Sequence, residues 1–235
     1  MNAKLLKKEL KKSADLNKAK ILKKFFKTKK GEYGHGDVFF GVTVLKQRKI
    51  IKNYKEIPLP EINKLLKDKI HECRFSALII LIEKYRKEEN EKIKNKIVKI
   101  YLNNLKHINN WDLVDISAPY ILGDFFLKNN KNKKILKKLV YSDNLWKRRM
   151  AIISTFAFIR KNEFNETFQI AKIFLKDKHD LIHKATGWML REIGKRDKKA
   201  LIDFLEIYSN KMPRTMLRYS IEKLNKREKI KYLKS

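Results

Sequence analysis

An all-α chain assembled from paired helices is predicted by three features of the sequence. Helix breakers are scarce, apolar residues recur one helical turn apart, and strand-like alternation is hard to find. The 235 residues hold only seven Gly and four Pro, and four of the glycines fall between Gly31 and Gly41. These are the residues least tolerated inside helices, so a chain so poor in them has few places to stop one. Ile182, Ala185, Thr186, Met189 and Ile193 follow the i, i+3, i+4, i+7 rule of a helix with one buried face, as do Ile152, Ile153, Phe156 and Ile159. About a dozen helices of roughly 10–17 residues are expected, paired into units of about 40 residues, which is the period of HEAT-like repeats. The predicted architecture is a HEAT-like helical-repeat α-solenoid with a concave basic groove, an irregular helical bundle being the alternative. With no dividing linker, residues 1–235 are expected to form a single domain.

Along the chain, Thr28–Asp37 is the one substantial loop. Pro58 and Pro60 open a helix, Asn110 caps another, Pro119 closes a short one, and Pro213 occupies the first position of a later one.

Charge narrows the function. Lys and Arg number 58 against 26 Asp and Glu, a formal net charge of +32. Self-repulsion on that scale points to a polyanionic partner, nucleic acid before an anionic membrane surface. An AT-rich genome could inflate lysine, but it would raise Asp, Glu and Asn as well and does not account for the asymmetry. Cys73 has no second cysteine to pair with, so a reducing compartment is expected. No apolar run approaches the ~20 residues a membrane span needs. The expectation is a soluble cytoplasmic protein, nucleoid-associated if bacterial, that makes no membrane contact.

Three spots combine aromatic and charged groups at helical spacing. In Asn110-Trp111-Asp112-Leu113-Val114-Asp115, the Asn110 cap puts Trp111 in the first turn with Asp115 four residues on, on the same face. A carboxylate beside a large aromatic is an unusual choice in so cationic a chain, although a core tryptophan with a solvated aspartate is the plainer reading. In Trp146-Lys147-Arg148-Arg149, Arg149 shares a column with Ile152, Ile153 and Phe156, so it faces the packed side and needs a carboxylate or phosphate to answer it. Arg148 lies off that column, as a solvent or backbone cation. Trp188 lies off the Ile182/Met189 stripe on a face shared with Lys184, Arg191 and Lys195. That face suits stacking by the ring and phosphate contacts by the cations, or a ring covered by lysine stems. His179 and His183 stand i, i+4 without a third metal ligand, so no metal or other cofactor is expected. The Gly-rich segment from Gly31 to Asp37 lacks the Lys-Ser/Thr ending of a P-loop and reads as a turn. Cys73 reads as packed and inert.

Taken in order, several stretches resemble the DNA alkylation repair family of HEAT-like DNA glycosylases. They are Gly36–Val42, Asn110–Asp115, Gly123–Leu127, Ser142–Arg149, Lys184–Glu192 and Met212–Tyr219. The resemblance runs over most of the chain. It implies that Trp111, Asp115, Arg149 and Trp188 form the catalytic set and that Arg191 contacts the DNA backbone, to which the helix faces add Lys184, Lys195 and Arg148 as DNA-binding cations. Members commonly carry a proline soon after the Gly-Val turn, where this chain reads Thr43-Val44-Leu45.

The resemblance further implies removal of positively charged N3- or N7-alkylated purines, such as 7-methylguanine and 3-methyladenine, from duplex DNA by a monomer. The base leaves as a neutral molecule, so a fixed carboxylate, Asp115, need only stabilise the sugar's developing charge. Trp111 and Trp188 would hold the cationic nucleotide, and Arg149 would anchor a phosphate or brace Asp115. No pocket enclosing a base is expected. The competing class is a non-catalytic helical-repeat nucleic-acid-binding protein, which needs the cations but not the Trp111/Asp115 pair.

Overall fold

A computed structural model describes residues 1–128 and 132–234 of the chain. Its regular elements are helical, and among the described residues the one β-type pairing is an isolated bridge between Val38 and Ile70. The chain divides into two compact units, Met1–Ser117 and Ala118–Ser235, and each is described by itself.

The first unit holds α1 (Ala3–Lys12), α2 (Leu16–Phe25), α3 (Val44–Ile51), α4 (Leu59–Leu66), α5 (His71–Lys87), α6 (Glu91–Asn103) and the start of α7 (Trp111–Lys128). Side-chain caps set several of the starts. Asn2, Asp15, Thr43 and Asn90 each accept a hydrogen bond from a backbone N–H in the first turn. Pro58 and Pro60 open α4 as the sequence predicts, because proline lacks only an N–H that the first turn leaves unpaired. Helix α5 is the spine of the unit: every residue from His71 to Ile82 is buried. A helix covered on all sides has no polar face, so its charged members must find partners inside the protein.

The segment between α2 and α3 contains the loop predicted for Thr28–Asp37 and ends in a tightly held turn. The buried Glu72 carboxylate accepts the backbone N–H groups of Phe40, Gly41 and Val42 at 3.1, 2.8 and 3.1 Å. Gly41 has a φ of 84°, and a Cβ there would stand 2.1 Å from the carbonyl oxygen of Asp15. Glycine is therefore required both for the left-handed backbone and for the approach of α2.

The second unit contains the rest of α7, then α8 (Lys133–Val140), α9 (Leu145–Ser154), α10 (Phe156–Ile159), α11 (Asn165–Phe174), α12 (Asp180–Gly194), α13 (Lys198–Tyr208), α14 (Arg214–Ser220) and α15 (Lys226–Lys234). Helix α12 is its hub, packed on α9, α11, α13 and α14. The predicted stripe of Ile182, Ala185, Thr186, Met189 and Ile193 is wholly buried. A Cβ at Gly187 would lie 2.4 Å from the carbonyl oxygen of Met216, so glycine is what lets α12 and α14 approach.

Three expectations are corrected. Pro119 does not close a short helix; it lies inside the 18-residue α7. Proline removes one intrahelical hydrogen bond, and packing of the surrounding Leu113, Val114, Ala118, Ile121 and Leu122, all fully buried, holds the helix together regardless. The second correction concerns the stripe from Ile152 to Ile159, which is not one helix, since α9 stops at Ser154 and α10 starts at Phe156. There the Thr155 hydroxyl and backbone N–H both donate to the carbonyl of Ile152, at 2.7 and 3.1 Å. Such local side-chain bonds compete with helix continuation. Pro213 falls one position earlier than predicted, just outside α14.

Candidate functional site

The start of α7 is fixed by the predicted cap. The Asn110 side-chain oxygen accepts the Trp111 N–H at 2.9 Å, and the Asn110 carbonyl accepts the Val114 N–H at 3.1 Å. Trp111 and Asp115 are therefore one turn apart on one helix, and both are half-buried. The Trp111 ring stacks on Phe26 at 5.3 Å between centroids and meets Phe25 edge-on at 5.8 Å. Phe26 in turn stacks on Phe39 at 5.2 Å. One side of the indole is thus anchored in aromatic packing. Asp115 lies near the buried Tyr101 phenol, whose acidity is suppressed first by burial and further by the Asp115 charge, against a hydrogen bond with Ser117.

Beneath Trp111 is a network that the helical spacing of the sequence does not foreshadow. His71 bridges two carboxylates, with Nδ1 3.0 Å from Asp37 Oδ2 and Nε2 2.8 Å from Asp112 Oδ2. Arg74 donates to Asp37 Oδ1 at 2.5 Å and to the carbonyls of Asp68 and Lys69 at 2.9 and 3.1 Å. Asn109 and Asn110 also donate to Asp37, at 3.3 and 3.2 Å. Burial alone would lower the His71 pKa, but Asp112 and Asp37 outweigh it and raise the pKa to about 9, so the ring is an imidazolium at neutral pH. For Asp37, burial opposes ionisation, but the His71 hydrogen bond and the Arg74 charge hold it below the ordinary carboxylate range. Two cations thus tie the loop (Asp37), the spine helix (His71, Arg74) and the start of α7 (Asp112) together. The signal for it lay in His71-Glu72-Cys73-Arg74, whose charges run straight into a stretch of buried apolar residues.

Next to the network is a cavity of about 500 Å³ bounded by α2, the Gly41 turn, α5 and Trp111. The sequence reading does not anticipate this cavity, which Asp115 does not line. Loop residues Phe39 to Val42 fold back as a wall, a tertiary placement that helical periodicity does not encode.

In the second unit, Arg149 is buried as predicted, and one of its guanidinium nitrogens donates to the carbonyl of Leu181, in the first turn of α12. It links α9 to the helix that carries Trp188. Arg148 is less available than predicted: Nε donates to Asp177 at 2.7 Å, and a terminal nitrogen donates to the carbonyls of Ser142 and Asp143, both at 2.9 Å. The Trp188 indole N–H donates to Glu192 at 3.0 Å, and the ring is half-buried. The cations expected around it are each paired with a carboxylate. Lys184 lies 2.8 Å from Asp180, Lys195 lies 2.6 Å from Glu192, and Arg191 bonds Glu222. Glu192, which joins Trp188 to Lys195, is the residue of this face that sequence reasoning passes over.

His179 and His183 serve the chain itself. His179 Nδ1 accepts the Leu181 N–H at 3.1 Å, and His183 Nε2 bonds the carbonyl of Asp177 at 2.6 Å. Among the described residues no group of three or more His, Cys, Asp or Glu side chains is arranged to hold a metal ion. No helix among them is long and apolar enough to cross a membrane. Cys73 is fully buried, and burial pushes its thiol pKa far up, which makes it the inert packed residue expected.

An all-helical fold with tryptophan–carboxylate pairs on a strongly basic chain is the class of object these observations define. The sequence model of the DNA alkylation repair enzyme family matches residues 6–224, and the chain belongs to that family. Among solved structures it is similar to a predicted DNA alkylation repair enzyme from Enterococcus faecalis. That match has a TM-score of 0.71 at 15% identity and covers 91% of this chain and 98% of the other. At that identity the likeness shows a shared fold. No curated protein matches the chain.

Proposed function

We propose that this protein is a DNA glycosylase that releases positively charged N3- and N7-alkylated purines from duplex DNA, acting as a monomer. The carrying observation is the Trp111–Asp115 pair, a half-buried carboxylate one turn from a half-buried indole in a chain of net charge +32. An alkylated purine is already a good leaving group, so the reaction needs stabilisation of a cationic sugar more than proton transfer. Asp115 supplies the negative charge and orients the attacking water. Trp111, fixed on Phe26, presents a rigid aromatic surface to the cationic nucleotide. Trp188 is held in place by Glu192, and Arg149 serves by bracing α9 against α12.

Lys184, Arg191 and Lys195 meet phosphates by exchanging their carboxylate partners. Exposed ion pairs such as those of Lys184 and Lys195 are worth about 0–1 kcal/mol, so their exchange costs little, while the half-buried Arg191 offers its outer nitrogens. Arg148 contributes its remaining donor capacity.

The test is incubation with a duplex carrying one 7-methylguanine, followed by assay for free base and abasic sites. Release of the methylated base is expected, with uracil and hypoxanthine left in place and alkyl bulk of little consequence. A protein that binds the duplex in a salt-dependent way but releases no base would be a helical-repeat binding protein instead.

A further inference from the structure

At the end of α12 three donors converge on one carboxylate oxygen. Glu192 Oε1 accepts the Trp188 indole N–H at 3.0 Å and the Lys195 ammonium at 2.6 Å, and Arg191 Nε stands 3.8 Å from it. The Glu192 side chain is only 13% exposed, so its charge must keep a cation beside it. The two candidates for that task differ. Lys195 caps the C-terminus of α12 and its side chain is 42% exposed, so it can turn to solvent or to a phosphate. Arg191 is 17% exposed, and its Nε is buried without a hydrogen-bond acceptor among the described residues. Its outer nitrogen bonds Glu222 instead.

The free protein is therefore one exchange short of full satisfaction. Lys195 occupies the oxygen that Arg191 Nε lacks, and a buried N–H left without an acceptor is costly. A phosphate that draws Lys195 away frees that oxygen, and Arg191 Nε has only to close from 3.8 Å to hydrogen-bonding range. Glu192 then keeps a counterion, while the outer nitrogens of Arg191 stay available to the backbone. The ammonium at 2.6 Å also competes with Trp188 for the same oxygen. Once it leaves, the indole N–H gains a larger share of an ionised acceptor, and such bonds are the stronger kind.

We propose that Glu192 is a positioning residue that couples backbone contact to the Trp188 ring. When Lys195 turns to a phosphate, Arg191 Nε takes its place on Glu192 and the Glu192–Trp188 bond tightens. The ring is held more firmly on DNA than in the free protein, and by linkage a firmly held ring favours the DNA-bound state. That this ring faces the lesion rests on the proposed glycosylase reading; the exchange itself does not.

The experiment follows the Trp188 indole N–H of the full chain by two-dimensional proton–nitrogen NMR, its resonance identified by its loss in Trp188→Phe. Undamaged duplex DNA is expected to move the indole proton downfield as its hydrogen bond tightens. Lys195→Ala, a change at an exposed stem, is expected to move it the same way with no DNA present. Glu192→Gln keeps the shape and removes the charge, and is expected to lose the response to DNA. In a base-release assay the same variant is expected to be about tenfold slower, the step from an ionised to a neutral acceptor, with duplex affinity undiminished. An indole resonance that stays in place in Lys195→Ala, or that responds to DNA equally in Glu192→Gln, overturns the proposal, as does base release by Glu192→Gln at the wild-type rate. A chain that shows these shifts but releases no alkylated base loses only the glycosylase reading. One that releases the base while Lys195→Ala leaves the resonance unmoved loses only the exchange.

Discussion

Two charged clusters, one in each unit, sit beside a tryptophan and are built on opposite principles. Under Trp111, His71, Arg74 and Asp37 are at most 6% exposed and joined through bonds that span 34 to 41 positions of sequence. Around Trp188, Lys184, Lys195 and Glu222 reach solvent beside a half-buried Glu192, and the links are mainly over one helical turn. A buried network fixes geometry because leaving any member unpaired is costly. An exposed one holds side chains in readiness and releases them cheaply. On the proposed function, the first cluster shapes a site and the second meets the polyanion.

The largest break in that contrast should come from His71→Ala. Removing the imidazolium leaves buried Asp37 to Arg74 alone and half-buried Asp112 without its partner, a loss of up to about 3–5 kcal/mol in denaturant unfolding. A loss below about 1 kcal/mol would show that the network is no more than a surface pair.

A smaller effect of the same origin is its pH dependence. The folded pKa of His71, about 9, lies above its unfolded value of 6.5. The stabilisation is therefore complete below pH 6.5 and disappears as pH rises through about 9, amounting to roughly 3 kcal/mol over that window. The denaturation midpoint of the wild type should fall across that range relative to His71→Gln, and parallel curves would contradict the raised pKa.

The exposed cluster should show itself in salt dependence. Log affinity for duplex DNA should fall with log salt at about −0.9 per phosphate contacted, with roughly five or more contacts in all. Lys184→Ala and Lys195→Ala should each reduce the slope by about one contact, with little change in stability. Smallest of all, Glu222→Gln releases Arg191 and should cost under about 1 kcal/mol of stability while slightly strengthening DNA binding. Weaker binding in that variant would mean that the pair organises the surface after all.

The same contrast separates what the sequence reveals from what it conceals. Short-range features are legible: the α12 stripe, the Asn110 cap, the prolines that open α4, and the inward-facing Arg149 all follow from spacing within one helix. The exposed cluster is legible for the same reason, except for Glu192, whose acidity hid it among the cations. The buried network and the cavity are not legible, because they join a loop, a spine helix and the start of α7 across dozens of residues of sequence. Pro119 and Thr155 mislead in opposite directions, since packing carries a helix through a proline while a threonine hydroxyl interrupts one that periodicity makes continuous.

The central claim is that Asp115 is the carboxylate that stabilises the reaction, and Asp115→Asn tests it most directly. Wild type and variant are compared on one duplex containing 7-methylguanine, with base release and duplex affinity measured in parallel. The substitution keeps the shape and removes one negative charge facing a polyanion. Release should be abolished while affinity stays the same or rises slightly. A variant that frees 7-methylguanine at the wild-type rate would contradict the assignment.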